Sequence, residues 1–523
     1  MDSHANRRFG FMAKAAGMVA LVALADALVF GERGPILGSM ALAWIAMLIA
    51  AVPAVRRDRG ARWALGASAA FGIVLVDDPS LLAWTLFWIA LSMAAMLPRR
   101  RFDDALRWAQ RLGLHALLGL VQPVIDVRRL CRVRRGGDRI GLRSIASVAA
   151  LPLIGGSVFL ALFAGANPLI SGAFARLQLP SPAWAALHLL LWLGVALAIW
   201  PSLRPHRCAL RLGRDRRAAP PRLPDVPLAT LTPSLVTFNA IFALQNGLDL
   251  IFLWSGAPLP ATITLADYAH RGAYTLIATA LLAGLFVLTA LRPESPGARS
   301  PLVRRLLVLW VAQNLLLVAS SILRLFDYID AYSLTILRLS ALAWMALVAI
   351  GLVLICWRLL AGRSAAWLIN ANALAAAMVL AAASVIDLGA TAAAWNVRHA
   401  RTARDLDLCY LAQLGPSALL PLVALERRVA GARLRDRVAF VRGRALFEAE
   451  AAQADPRTWS WRNARRLDAA RAALGAAPRR PGPAPNGRAC DGSPFPPAPI
   501  EAPAVPAAPA PPPARPLTAE TKQ

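Results

Sequence analysis

Between residues 12 and 395 the chain alternates long apolar stretches with short polar breaks. Several stretches reach about twenty residues, the length a helix needs to cross a hydrocarbon layer roughly 30 Å thick. In lipid every backbone polar group must bond internally, which such runs achieve as helices. The pattern predicts an all-α fold: a polytopic helical integral membrane protein of about 11 transmembrane helices. Six spans are read at Met12–Phe30, Ile36–Val55, Ala61–Val76, Leu81–Leu97, Ser144–Ala166 and Ala183–Leu203. Five more follow at Ser234–Trp254, Gly272–Leu291, Leu306–Leu325, Leu334–Trp357 and Ala366–Trp395.

The breaks set the organisation. Residues 1–203 form an N-terminal membrane half, 204–233 a basic proline-rich connector, and 234–395 a C-terminal membrane half. Within the basic loop 98–143, Leu112–Val127 is apolar but interrupted by His115, Gln122, Pro123 and Asp126, and reads as lying on the membrane. Residues 396–475 form a helical segment with helices at Val429–Ala454 and Thr458–Leu474. Asp455-Pro456 introduces the second and Gly475 ends it. Residues 476–523 read as a disordered tail, since 15 of the 39 residues from 478 to 516 are proline.

Charge changes the picture next. The net charge of +28 suggests nucleic acid until its placement is considered. The N-terminus and the loops 56–62, 98–143, 204–222, 292–305 and 358–363 carry 32 basic residues, the alternate loops only Arg33, Arg176 and Arg271. This asymmetry predicts an inside N-terminus, anionic headgroups against the basic loops and no nucleic-acid partner. Ala23-Leu24-Ala25 imitates a signal-peptidase site, but a first span kept in place fits a chain of many spans. An odd span count puts everything after Trp395 outside. Cys409 and Cys490 then share that side and can pair.

Candidate chemistry gathers on the same side. "FDYIDAY", Phe326 to Tyr332, reads as a short outer loop flanked by Arg324 and Arg338. All five tyrosines (Tyr268, Tyr274, Tyr328, Tyr332 and Tyr410) map to the outer side of the C-terminal half. Asp249, Asp387, Asp405 and Asp407 lie there too, and Asp26, Asp77 and Asp78 on the outer side of the first half. Ionised groups at depth are costly unless paired or hydrated. Two readings follow: ion pairs among Arg324, Arg338, Asp327, Asp330 and Asp387 that lock the spans together, or a water-filled outer-leaflet cavity for a polar ligand. Gln313 and Asn314 read as glue between helices, Asn370 and Asn372 as reaching headgroups, and His188 as a lone core histidine. Phosphate-loop, zinc-protease, nucleophile-elbow and dinucleotide motifs are missing from the sequence. No metal or cofactor is expected.

Four segments carry a resemblance: "ADYAHRGAYTLI" (Ala266–Ile277), "YIDAYSLTILR" (Tyr328–Arg338), "DLDLCYLAQLGPSALLPL" (Asp405–Leu422) and "WSWRNARR" (Trp459–Arg466). In their order they resemble the bacterial membrane proteins labelled domain of unknown function four-one-seven-three, with the four-one-five-three group as a relative, over roughly residues 215–470. Ser333 stands where that pattern has glycine. The resemblance implies bacterial membrane placement and singles out Tyr268, Tyr328, Tyr332, Thr335, Arg338, Asp407 and Tyr410. It names no activity.

The reading that follows is a multi-pass protein of the bacterial cytoplasmic membrane with its tail on the envelope side. Its candidate ligand site comprises Tyr268, Arg324, Asp327, Tyr328, Tyr332, Thr335, Arg338, Asp387, Asp407 and Tyr410. Binding or transport of a polar or anionic ligand comes first. A non-catalytic scaffold or sensor that recruits envelope proteins through the tail stands beside it. A transferase using a lipid-linked donor is third.

Overall fold

The computed structural model describes residues 2–31, 35–126, 128, 181–211, 227–254, 279, 282, 300–400, 402, 406–476 and 478–496. Among these residues the fold is all-helical, and one isolated antiparallel bridge joins Arg488 to Pro494. Among the described residues six helical stretches are long and apolar enough to cross a membrane: Phe11–Phe30, Pro182–Arg211, Leu228–Asp249, Pro301–Tyr332, Ile336–Leu360 and Ala365–Val385. Ile36–Ala51 and Leu81–Met96 are apolar but shorter. The spans expected at 144–166 and 272–291 lie outside the described residues, apart from Thr279 and Leu282.

The N-terminal half is built from α1 (Asp2–Phe30), α2 (Ile36–Ala51), the single turn α3 (Ala54–Arg57), α4 (Arg59–Asp77), α5 (Leu81–Met96), α6 (Ala105–Gly119), α7 (Pro182–Leu203) and α8 (Arg207–Arg211). Asp58 caps α4 through the Ala61 amide and Ser80 caps α5 through the Ala83 amide, so the chain turns sharply at Asp78-Pro79. Helices in lipid gain little from apolar burial alone and rely on close approach. Gly38 supplies it where α2 meets α4, since a Cβ there would stand 2.7 Å from the Val76 amide nitrogen. Trp44, Leu48, Phe87 and Leu91 fill the centre, and Trp44 Nε1 donates to Ser202 Oγ on α7 at 2.8 Å.

The amphipathic α6 lies on the arginine-rich end of the bundle, touching α5, α7 and α8. It buries Trp108, Arg111, His115 and Gly119 and exposes Leu106 and Leu117. Arg111 forks onto Asp103 with two 2.6 Å bonds. That pairing, its largest cause, holds the Asp103 carboxyl at about 2.

The C-terminal half contains α9 (Leu228–Asp249), which runs into a π-helical turn at Leu250–Trp254, then α10 (Pro301–Tyr332), α11 (Ile336–Leu360) and α12 (Ala365–Val385). At 1.5 Å per residue the 32-residue α10 spans about 48 Å, longer than the hydrocarbon layer is thick. The two halves touch where α12 meets α5 and α6, and Asn370 Oδ1 accepts the Ala105 amide at 2.7 Å.

Three expectations change here. "FDYIDAY" is not a loop. It is the last two turns of α10, because Leu325 and Ile329 keep helical spacing and bury against Leu334 and Ala392. The stretch 366–395 is not one helix: it breaks at Ile386, and α13 (Leu388–His399) starts anew with Asp387 accepting the Ala390 amide at 2.8 Å. The proline-rich stretch is not wholly a spacer, since residues 478–496 fold back and Cys490 is disulfide-bonded to Cys409.

The helical segment beyond α13 forms a cap. It comprises α14 (Leu408–Gln413), a 3-10 turn at Gly415–Ala418, α15 (Leu419–Arg428), α16 (Ala432–Ala454) and α17 (Trp461–Leu474). Ser460, not Asp455, caps α17, and Gly475 at φ 71° ends it. Leu411, Leu419, Leu422, Val438, Val441 and Leu467 make its core. Arg442, 3% exposed on its side chain, pairs with Glu426 at 3.0 Å inside it.

Candidate functional site

The carboxylates and arginines expected to line one cavity separate into three groups. In the first, deep between α9 and α10, Arg324 pairs with Asp249 rather than with Asp327 or Asp330. Gln245 Nε2 donates to the same carboxylate at 3.1 Å. The seam continues toward the other end: Asn246 Nδ2 donates to the Gln313 carbonyl and Gln313 Nε2 to Asn239 Oδ1, each at 3.2 Å. Gln313 therefore ties the two helices together. Asn314 instead bonds back to the Trp310 carbonyl on its own helix at 2.8 Å.

The second group is the turn from α10 to α11. Ser333 has φ 68° and ψ 163°, a left-handed conformation that favours glycine, and is the non-glycine residue with positive φ among the described residues. Its neighbours hold it there. The Arg338 guanidinium donates to the carbonyls of Tyr332, at 2.6 Å, and Ser333. It also lies over the Tyr328 ring at 4.2 Å, and Tyr328 packs on Tyr332. Thr335 caps α11 through the Arg338 amide. From the cap side, Asn396 bonds both the amide and the carbonyl of Leu334, at 2.7 and 2.9 Å. Tyr410 Oη accepts the Ile336 amide at 2.9 Å, and burial raises its phenol above the usual range. Asp407 caps α14 through the Tyr410 amide. The structure brings Tyr328, Tyr332, Thr335 and Tyr410 together around Arg338, where they close a turn. Asp327, Asp330 and the Tyr332 side chain face outward. Tyr268 and Asp405 lie outside the described residues.

The third group was missed. Arg462, Arg465 and Arg466 on α17 reach from the cap to both membrane halves. Arg462 donates to Asp77 at 2.9 Å, to Asp78 at 2.7 Å and to the Val385 carbonyl at 2.8 Å. Arg465 adds a second bond to Asp77, and Arg466 pairs with Asp387, which also accepts Ser417 Oγ at 3.2 Å. Arg462 keeps only 14% of its side chain exposed, so this is a seated clamp rather than a surface ion pair. The signal was legible in part: "WRNARR" places three arginines at i, i+3 and i+4 on one helix face. Burial raises the Asp78 carboxyl, while Arg462 opposes that shift.

His188 is not alone. Its Nδ1 meets Asp26 Oδ1 at 2.5 Å, and the ring stacks on Phe30 at 3.7 Å between centroids. Among the described residues no three His, Cys, Asp or Glu side chains converge as a metal site.

The family described as "Domain of unknown function (DUF4153)" matches residues 13–425. The match begins in α1 and takes in both membrane halves, well before residue 215, where the resemblance had been placed. It carries the four-one-five-three label, not four-one-seven-three. No curated protein and no solved structure matches the chain.

Proposed function

Since this chain belongs to the DUF4153 family of undefined activity, we propose that it is a non-catalytic scaffold or sensor of the bacterial cell envelope. In this reading it is a multi-pass protein of the cytoplasmic membrane that presents a folded helical cap on the outer face. The observation that carries the reading is the clamp. One cap helix, α17, grips the α4–α5 turn and the α12–α13 break together, so the cap's seating depends on how the two halves stand. Arg324, Arg338 and Asp387, expected to line a ligand cavity, are engaged by Asp249, by the turn carbonyls and by Arg466, which favours this reading over solute transport.

Cysteine usage supports the placement. The cap carries the Cys409–Cys490 disulfide, and disulfides persist in oxidising compartments. Cys208 and Cys356, toward the arginine-rich end, are free thiols.

Phe447, Trp461 and Phe495 are exposed on the cap and are natural contact points for an envelope protein. A photo-crosslinking residue at Phe447 in intact cells is expected to yield a discrete adduct with one envelope protein. A cap that captures nothing from position 447 or 461 rules the recruiting role out. Binding of a polar solute remains the second reading, because Asp327, Asp330 and Tyr332 stay exposed. Uptake or binding that is lost in Asp327→Asn with Asp330→Asn, and kept in Arg462→Ala, would move it to first place.

A further inference from the structure

The corner of the cap where α15 turns into α16 is crowded with arginine. Residues 426–442 and 478–491 hold nine arginines and three carboxylates. The two segments meet in space, since the buried Arg442 pairs with Glu426 at 3.0 Å and donates to the Arg479 carbonyl at 2.6 Å. Each carboxylate is already taken: Glu426 by Arg442, Asp436 by Arg488 and Asp491 by Arg437. None of the other six arginines lies within 4.0 Å of a carboxylate among the described residues. Arg427 donates to the Ala473 carbonyl and Arg428 to the Val397 carbonyl at 3.2 Å, bonds that leave the charge in place. Arg433, Arg479 and Arg480 are exposed.

The Arg428 bond fixes where this corner stands. Val397 follows Asn396, whose side chain holds Leu334 in the turn between the spans Pro301–Tyr332 and Ile336–Leu360. Arg428 therefore lies beside the ends of two spans, and the exposed Arg398 follows Val397 there. Tyr328, Tyr332, Trp395 and Tyr410 pack around the same turn. Tyrosine and tryptophan favour the headgroup layer of a bilayer, so they mark its level on this end of the bundle. Guanidinium groups at that level meet lipid phosphates, which they bond in a fork. The placement, more than the charge, favours a lipid surface over an acidic protein.

We propose that this arginine corner rests on the anionic phospholipid headgroups of the leaflet beside the cap. Arg427, Arg428, Arg433, Arg479 and Arg480 supply the positive charge, and the strength of the contact follows the negative charge of the membrane. It is distinct from the clamp. Arg462 seats the cap on carboxylates of the helix bundle, whereas the corner touches lipid. The contact requires only that the chain spans a membrane, and it holds whatever the cap recruits.

The test places a fluorophore on Ala430→Cys, an exposed position inside the corner, in the full chain with Cys131, Cys208 and Cys356 replaced. The labelled protein is reconstituted in nanodiscs of phosphatidylcholine alone, or of phosphatidylcholine and phosphatidylglycerol in equal parts. A lipid with a nitroxide on its headgroup serves as quencher in both. Quenching is expected to be at least about twofold stronger in the anionic discs and to fall to the neutral level in about 1 M salt, where the screening length is about 3 Å. Arg433→Gln, Arg479→Gln and Arg480→Gln together break no described side-chain bond and are expected to abolish the excess, since each arginine near an anionic surface counts for about fivefold. Arg457→Gln, an exposed arginine beyond the other end of α16, is expected to leave the excess in place. The proposal is overturned if both discs quench alike, if the triple variant quenches like the parent, or if Arg457→Gln costs as much as the triple variant. A label unquenched in both discs and shielded only when an acidic protein is added would overturn it in favour of a protein partner.

Discussion

Removing the Arg462 guanidinium should unseat the cap without unfolding it. Arg462→Ala deletes bonds to Asp77, Asp78 and the Val385 carbonyl at 2.7 to 2.9 Å. Charge-assisted hydrogen bonds of this kind contribute roughly 1.5–3 kcal/mol each. The Asp78 bond deserves a steep discount because that side chain is 45% exposed, and Asp77 keeps Arg465. About 2–4 kcal/mol of docking free energy remains at stake, which shifts the ratio of seated to unseated cap by roughly 30- to 1,000-fold. The cap should survive, because its core of Leu411, Leu422, Val438 and Leu467 is its own. The assay is a spin-label distance between positions 81 and 447, both highly exposed, with Cys131, Cys208 and Cys356 replaced. The parent should give one narrow distance. Arg462→Ala should give a broad or second population, and Arg462→Lys an intermediate result, since an ammonium cannot fork over two carboxylates and a carbonyl. An unchanged narrow distance in Arg462→Ala would refute the clamp.

Other expectations follow from the same geometry. Ser333→Gly should raise stability by about 1–2 kcal/mol in chemical unfolding, because glycine accepts the left-handed backbone that serine strains to hold; a loss of stability would contradict the strain. Asp436 and Asp491 hold residues 478–496 through Arg488 and Arg437. Their carboxyls sit below the usual range: the Gly482 amide is the largest cause at Asp436, and Ser493 at Asp491. That contribution is fully present above the unfolded value near ~3.9 and is lost as pH falls through the lower folded values. The protection of 482–495 in hydrogen exchange, relative to the intrinsic rate at each pH, should therefore be flat from pH 7 to 5 and fall only below about pH 4. Cys490→Ser opens a loop closed across a sequence separation of 81, with a chain-entropy ceiling of about 4–5 kcal/mol, and protease sensitivity after Gly475 reports it. Asp78→Asn should leave the 81–447 distance narrow, since solvent screens its half-exposed pair with Arg462, whereas Asp77→Asn, which loses both Arg462 and Arg465, should broaden it.

What the sequence disclosed and what it hid differ in kind. The length of the apolar runs marked an all-helical chain and, among the described residues, six stretches able to span a membrane, because that signal is local. The turn at Asp78-Pro79 was legible for the same reason. The break at Asp387 was not, since Ile386-Asp387-Leu388 sits in an alanine-rich stretch with no proline to mark it. Only the capping bond to Ala390 reveals it. Tyr328, Tyr332, Thr335, Arg338 and Tyr410 lie together at the α10–α11 turn, but their letters do not say whether they face a ligand or each other. The clamp was hardest, because Arg462 and Asp77 are 385 residues apart. The proline-rich tail misled through composition, because Arg488, Cys490 and Asp491 fasten it between the prolines.

Asp387 has a mechanical consequence. One carboxylate starts α13 with one oxygen and holds Arg466 and Ser417 with the other. The bend between α12 and α13 and the seat of α17 therefore share a pin. Torque applied to the cap is felt as a change of angle in a helix that enters the membrane. Straightening that helix in turn pulls the pin from under the cap. A load on either arm of this lever is transmitted to the other.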